Sequence, residues 1–343
     1  MENFEGKRRD TNIELYRCIV MLLIVAHHYM MHSGLLNVTP NCLTSARSIY
    51  LYFFGMWGKI GINCFVLITG YYMCSSNISY KKYLKLLLQV EFYKCSIYLI
   101  FLLVGKNTFS IESILSSLLP FTDIANGFVD CFFIFYLFIP FLNILIHSMS
   151  RKQHITLVFL CLFVFCFWPQ FHLFKVNSNY VIWFCILYLI AAFIRLYKLE
   201  DILSYKSWGG ITLLNVVMAF ISVLFLLYNG RVWPYLLVYD CNSIFAVSIS
   251  ILLFLFFKRL PMKYNKIVNV VGGTTFGILL IHDCSWEMRH WLWIDVCNCI
   301  GWFDRNVYLH SSVCVFGVFA ICSIIDYTRS VLIEKPLFNT KYR

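Results

Sequence analysis

The chain has 343 residues, of which 60 % are hydrophobic and 13 % charged, with 28 Lys+Arg against 17 Asp+Glu. Soluble globular chains carry about 25 % charged residues, so half that share excludes an ordinary soluble enzyme, a disordered chain and a nucleic-acid-binding domain. The mean hydropathy of +0.74 fits a membrane protein instead, and at about 20 apolar residues per spanning helix the composition supplies roughly ten spans.

The predicted elements are helices over Ile13–His32, Tyr50–Met73, Tyr83–Val104, Phe128–Ile146, Ile155–Phe171, Asn179–Tyr197, Gly210–Tyr228, Tyr235–Phe257, Ile267–His282 and Val307–Thr328. The runs are continuous rather than alternating, as a β-barrel strand would be. The expected fold is therefore an all-α polytopic membrane helix bundle forming one domain over residues 1–343. The first run holds Glu14 and Arg17 and lacks a small-x-small site at its end, so it is not read as a cleavable signal. In the second, Gly55, Gly58, Gly61 and Lys59 interrupt the first half, and Tyr50–Gly58 is a candidate interfacial segment. The ninth is short and contains Gly272–Gly273, a candidate helix break. The segment Asp283–Asn306 is long enough for a lid, and its Trp286, Trp291, Trp293 and Trp302 look like an aromatic belt. The 15 cysteines fall mostly inside apolar runs and read as small packing residues.

Lysine and arginine orient the chain. With the N-terminus inside, inner segments hold 19 of the 28 cations and outer segments hold 6: Arg47, Lys106, Lys175, Arg231, Arg289 and Arg305. The bias recurs at every turn, which predicts an even number of spans with both termini cytoplasmic.

Ionisable residues inside spans are costly, about 2.5 to 3.5 kcal/mol each on the insertion scale, and are functional candidates by default. The first span carries the densest set. At about 100° per residue, Glu14, Arg17, His28 and His32 form one stripe and His27 points away. At 1.5 Å per residue, Arg17 and His28 stand roughly 16 Å apart along the axis. The stripe is also compatible with a Glu14–Arg17 ion pair and a helix-packing His28. The spacing of His28 and His32 lacks the Glu of a His-Glu-x-x-His zinc motif, so no metal is expected.

These residues resemble a known family. Asn12-Ile-Glu-Leu-Tyr-Arg17, followed by an apolar stretch ending in His28, is similar to the opening of the acyltransferase-3 family of integral membrane acyltransferases. Gly61-Ile-Asn-Cys-Phe-Val-Leu-Ile-Thr-Gly70-Tyr-Tyr resembles its second-helix signature. Tyr136, Pro140 and Asn143 resemble a mid-chain segment, and Thr275-Phe-Gly-Ile-Leu-Leu-Ile-His282-Asp283 its late motif. The resemblance implies about ten spans and transfer of an acyl group, commonly acetyl from acetyl-CoA, to a hydroxyl of an envelope glycan at the cell's inner membrane. It further implies essential roles for Arg17 and His28, and a basic pair that falls on Lys82 and Lys85. Three departures stand out: lysines replace the family's Arg-x-x-Arg pair, Glu14 replaces its aspartate, and Leu279 replaces its late tyrosine.

The site expected on this basis has His28 as base or nucleophile with Glu14 beside it. Arg17, Lys82 and Lys85 hold the phosphates of acyl-CoA, and His282 and Asp283 face the acceptor. Imidazole suits either role near neutral pH. The expected partners are membrane lipid and a glycan or lipid-linked glycan, with no nucleic acid. A polysaccharide-unit transporter or flippase, or a polysaccharide polymerase, is the alternative.

Overall fold

The computed structural model describes residues 9–76, 78–107, 127–171 and 179–338. Lys7, Arg8, Lys175, Lys341 and Arg343 of the charge count lie outside them. The described residues contain helices and no strand. In chain order these are α1 (Thr11–Met31), α2 (Ala46–Gly55), α3 (Gly58–Met73), α4 (Tyr80–Leu103), α5 (Phe128–Ser148), α6 (Arg151–Leu162), α7 (Tyr180–Tyr197), α8 (Tyr205–Tyr228), α9 (Ile244–Arg259), α10 (Lys266–His282), α11 (Trp286–His290) and α12 (Val307–Arg329). Short polar side chains start many of them. Asn179, Asn265, Ser285 and Asn306 each accept the backbone N–H three residues on, and Ser150 with Gln153 forms a reciprocal capping box.

Among the described residues, eight helical segments are long and apolar enough to cross a membrane. The chain is a multi-pass membrane helix bundle. Two further predicted spans are helical but shorter, α9 with 16 residues and α10 with 17. Helices α2 and α3 together form one 28-residue span, Ala46–Met73. The expected interfacial segment Tyr50–Gly58 is thus part of that span, interrupted only at Met56–Trp57. Its glycines seat α1: a Cβ at Gly55, Gly58 or Gly61 would run into Met30, His27 or Ile24. Small residues that let two backbones approach are the usual way membrane helices associate.

The expected break at Gly272–Gly273 is absent. Helix α10 runs straight through both, and the chain bends by 97° only after His282, into Trp286–Trp302. Asn269 and Thr275 hydrogen-bond within the helix on either side, so the glycines serve packing against α1: a Cβ at Gly272 would fall 2.7 Å from Glu14 Cβ.

Burial separates a central group from a lipid-facing shell. In α1, α2–α3 and α7 the most apolar stretch is 61, 72 and 67 % buried, against 17 to 28 % in Tyr80–Leu103, Arg151–Gln170, Tyr205–Tyr228 and Val307–Phe338. Polar contacts tie the ends into two faces. At one face, Asn12 donates to the carbonyls of Lys258 and Leu260, and Asp10 accepts from Lys258 at 2.8 Å and Tyr72 at 2.7 Å. Lys85 pairs with Glu334 there, and Arg259 with Asp201. At the other face, Arg47 pairs with Asp304, Arg289 with Asp283, and Lys106 with Asp295. The starts of α1, α4 and α10 thus share a face with the ends of α3, α9 and α12. That face is the cation-rich one of the loop count.

Buried polar residues stitch the helices together. Asn63 of α3 donates to the Cys241 carbonyl and accepts from Trp183. Asn143 of α5 donates to the Met73 carbonyl and accepts from Tyr188. All 15 cysteines are free thiols.

Candidate active site

The stripe on α1 leads to a cluster at the end away from the cation-rich face. His28 Nδ1 meets His282 Nε2 at 2.9 Å. His282 Nδ1 lies 2.5 Å from the Ile278 carbonyl. A carbonyl only accepts, so His282 carries its proton on Nδ1 and offers the lone pair of Nε2 to His28 Nδ1–H. This chain of donors leaves His28 Nε2 as the unprotonated nitrogen. His282 is wholly buried, and its side chain is committed to His28 and the backbone. The structure therefore gives it a positioning place rather than the acceptor contact expected from the sequence.

Asp283 organises the rim. Its carboxylate lies 2.9 Å from Arg289 Nε, 3.5 Å from His32 Nε2 and 3.8 Å from His28 Nε2. His28, His32 and Asp283 present donor atoms within 4.8 Å of one another, a spacing a metal ion could use. Arg289 is the permanently charged partner of Asp283 in this cluster. His27, off the stripe, donates its Nδ1–H to the Gly55 carbonyl at 2.5 Å, yet it lines the same cavity as His28, with the two rings 5.6 Å apart.

His28 lines a cavity of about 420 Å³ between α1, α3, α4, α5, α7 and α10, here the histidine cavity. Its polar wall includes Lys59, Tyr93, Lys94, Asp130, Tyr180, Asp283 and Arg289. Lys94 faces Asp130 at 3.8 Å, and Lys59 donates to the Tyr180 hydroxyl. Trp293 is fully buried, 5.9 Å edge-on from Tyr29 and 6.5 Å from His282. It roofs the histidines and is not a belt residue; Trp286, which is 68 % exposed, suits a belt.

Glu14 and Arg17 lie elsewhere. Fourteen residues of helix put Glu14 roughly 21 Å from His28 along the axis. Its carboxylate is buried, 3.6 Å from both Arg17 and Arg9. Glu14 therefore does not join the histidine cluster. Buried Glu14 Oε2 and Arg17 Nε have no hydrogen-bond partner, which leaves Arg17 donor capacity to spare.

The basic pair divides. Lys85 lines a second cavity of about 340 Å³ at the cation-rich face, together with Arg9, Gln89, Asp326, Arg329 and Lys335. Lys82 is exposed on the first turn of α4 and is not in that lining. Between the two cavities stands one hydrogen-bonded layer. Asp326 Oδ1 accepts from Tyr93 at 2.8 Å, Gln89 at 3.0 Å and Arg329 at 2.9 Å. Gln89 lines the basic cavity and Tyr93 the histidine cavity.

Sequence reasoning gave no role to Arg289 or Tyr180. Lys59 carried a usable signal, a cation within an apolar run. Arg289 did not, because the 97° bend that brings it back over Asp283 has no local signature.

A family model described as an acyltransferase domain matches residues 10–327. No curated protein and no solved structure matches the chain. With most of its length covered, including α1, the His28–His282 pair and Asp326, the chain belongs to the acyltransferase-3 family and is a membrane acyltransferase.

Proposed function

We propose that the enzyme takes an acyl group, in the first instance acetyl, from acyl-CoA at the cytoplasmic face of the inner membrane and transfers it to a hydroxyl of an envelope glycan on the opposite side. The observation that carries this reading is the Asp326 layer, whose Gln89 lines the basic cavity and whose Tyr93 lines the histidine cavity. A polyanionic donor cannot cross lipid, whereas its thioester arm is slim and uncharged.

In this reading Arg9, Lys85, Arg329 and Lys335 attract the donor's phosphates, and Arg17, held by Glu14 and lining neither cavity, adds to the positive field behind them. Lys82 adds only to the field at the rim. The thioester passes the Tyr93 layer toward His28. The acceptor hydroxyl then donates its proton to His28 Nε2 as its oxygen attacks the thioester carbon. The tetrahedral oxyanion forms among Lys94, Arg289 and Lys59, whose charge stabilises it. Collapse breaks the carbon–sulfur bond, and the imidazolium returns the proton to the departing thiolate. His282 keeps Nε2 of His28 free, and Asp283 offsets the transient positive charge.

Mass spectrometry of surface glycans from cells with and without the gene tests this. A mass difference of one acyl group per repeat, restored by the wild type but not by His28→Ala, is expected. Unchanged acylation with altered glycan amount or chain length would instead favour transport or polymerisation.

A further inference from the structure

A third cavity, of about 580 Å³, lies at the face opposite the cation-rich one, and of its lining only Lys59 enters the mechanism above. Trp233, Tyr239, Asp240 and Asn242 line it on the loop before α9, and Asn179 and Trp183 line it on α7. Lys59 and Tyr180 line both this cavity and the histidine cavity. The two spaces therefore share a single wall, the Lys59–Tyr180 hydrogen bond with the ammonium 5.1 Å from the Tyr180 ring centre.

The loop is built rather than slack. Tyr52 and Tyr235 tie it reciprocally to α2: the Tyr52 hydroxyl donates to the Val232 carbonyl at 3.0 Å, and the Tyr235 hydroxyl to the Tyr52 carbonyl at 2.8 Å. The buried Trp183–Asn63–Cys241 chain holds its far end, and Asn242 donates to the Phe165 carbonyl at 2.6 Å. Long irregular connections in packed proteins are usually functional. Held this way, the loop presents Trp233 and Tyr239, 40 and 48 % exposed, edge to face at 5.3 Å. A carboxylate and amides lie beside them.

This is the chemistry of a hydroxyl-rich ring. The C–H faces of a sugar lie on aromatic planes, and its hydroxyls need acceptors and donors such as Asp240 and the amides. We propose that this cavity is the acceptor subsite, taking one sugar ring of the glycan, and that Lys59 and Tyr180 form the partition past which its hydroxyl reaches His28. The inference rests on the acyl-transfer reading above. The partition also keeps bulk water from the thioester until an acceptor is seated.

The test uses purified full-length protein in detergent with acetyl-CoA. The acceptor is the unacylated oligosaccharide released by mild acid from the surface glycan of cells lacking the gene. Trp233→Ala and Asp240→Asn should each raise the acceptor KM at least tenfold and leave the acetyl-CoA KM within twofold. Acceptor KM values within twofold of wild type in both variants, eluting as wild type, would overturn the assignment and leave the loop aromatics as membrane-interface anchors. Should Trp233→Ala aggregate, the isosteric Asp240→Asn decides. Saturable quenching of wild-type tryptophan fluorescence by the oligosaccharide alone, lost in Asp240→Asn, supports the cavity even where no acyl group moves. No transfer with such binding overturns only the acyl-transfer reading; neither transfer nor binding overturns both.

Discussion

His28 Nδ1 stands 2.9 Å from His282 Nε2, and His282 is held in turn by the Ile278 carbonyl one helical turn earlier. The pair spans 254 positions of sequence and decides which nitrogen of His28 bears the lone pair. Replacing His282 by Leu removes the acceptor and should lower kcat on the order of a hundredfold, the low end of what a positioned base contributes. His282→Gln can place an amide oxygen where Nε2 was and should recover most of that loss. A merely structural role would not distinguish the two, since both variants lose the bond to Ile278. Steady-state rates of the purified variants, with matched elution profiles, check this.

At the basic cavity, Lys85 and Arg329 both lie against Glu334, at 2.5 and 2.9 Å. A phosphate must compete with that carboxylate. Glu334→Gln should therefore lower the acetyl-CoA KM and Lys85→Gln should raise it, each by roughly two- to fivefold, as for a partly exposed charge contact. Lys82→Gln should change it little. A Lys82 effect as large as that of Lys85 would return the pair to the arrangement expected from the family motif.

The order of these residues explains what the sequence could and could not disclose. Helical periodicity holds within one element, so the α1 stripe was readable from spacing alone, whereas the cavity shared by His27 and His28 was not. Recurrent loop cations likewise revealed which helix ends share a face, and paired ends such as Asp10 with Lys258 bear that out. Convergence across elements was not readable. Lys85 meets Arg9 and Arg329 only because α1, α4 and α12 end together, and Lys82, three residues earlier on the same side of α4, lies outside that lining at the very start of the helix. Gly272–Gly273 looked like a break because glycine weakens a helix. Close packing against Glu14 is the competing reason for glycine, and it prevailed.

The start of α1 is locked by Asp10, which accepts from Lys258 and Tyr72. Partial burial alone would push this carboxyl up, but those two partners together hold it below the usual carboxylate range. A depressed folded-state value means stability that is present above the unfolded value, near 3.9, and lost as pH falls through the folded one. Asp10→Asn should therefore melt below wild type at pH 7 and converge with it in strong acid. With the side chain 45 % exposed, the effect should stay under about 1 kcal/mol. Thermal melts in detergent across pH test the sign.

Gly277 offers the sharpest packing test. A Cβ there would fall 2.6 Å from Asp326 Cβ and closer still to its carboxylate. Asp326 cannot retreat without loosening Tyr93, Gln89 and Arg329, all bound to one oxygen. Gly277→Ala should cost about 1 to 3 kcal/mol, the range for overpacking a filled interior. It should also disturb donor access, because the displaced layer separates the basic and histidine cavities. Gly317, in the facing α12, has nothing within 4 Å of its notional Cβ. Gly317→Ala should be neutral or stabilise by up to about 1 kcal/mol through helix propensity. Opposite shifts in melting temperature for two glycine-to-alanine changes on packed partner helices would place the strain at Asp326; equal shifts would remove Asp326 from the account.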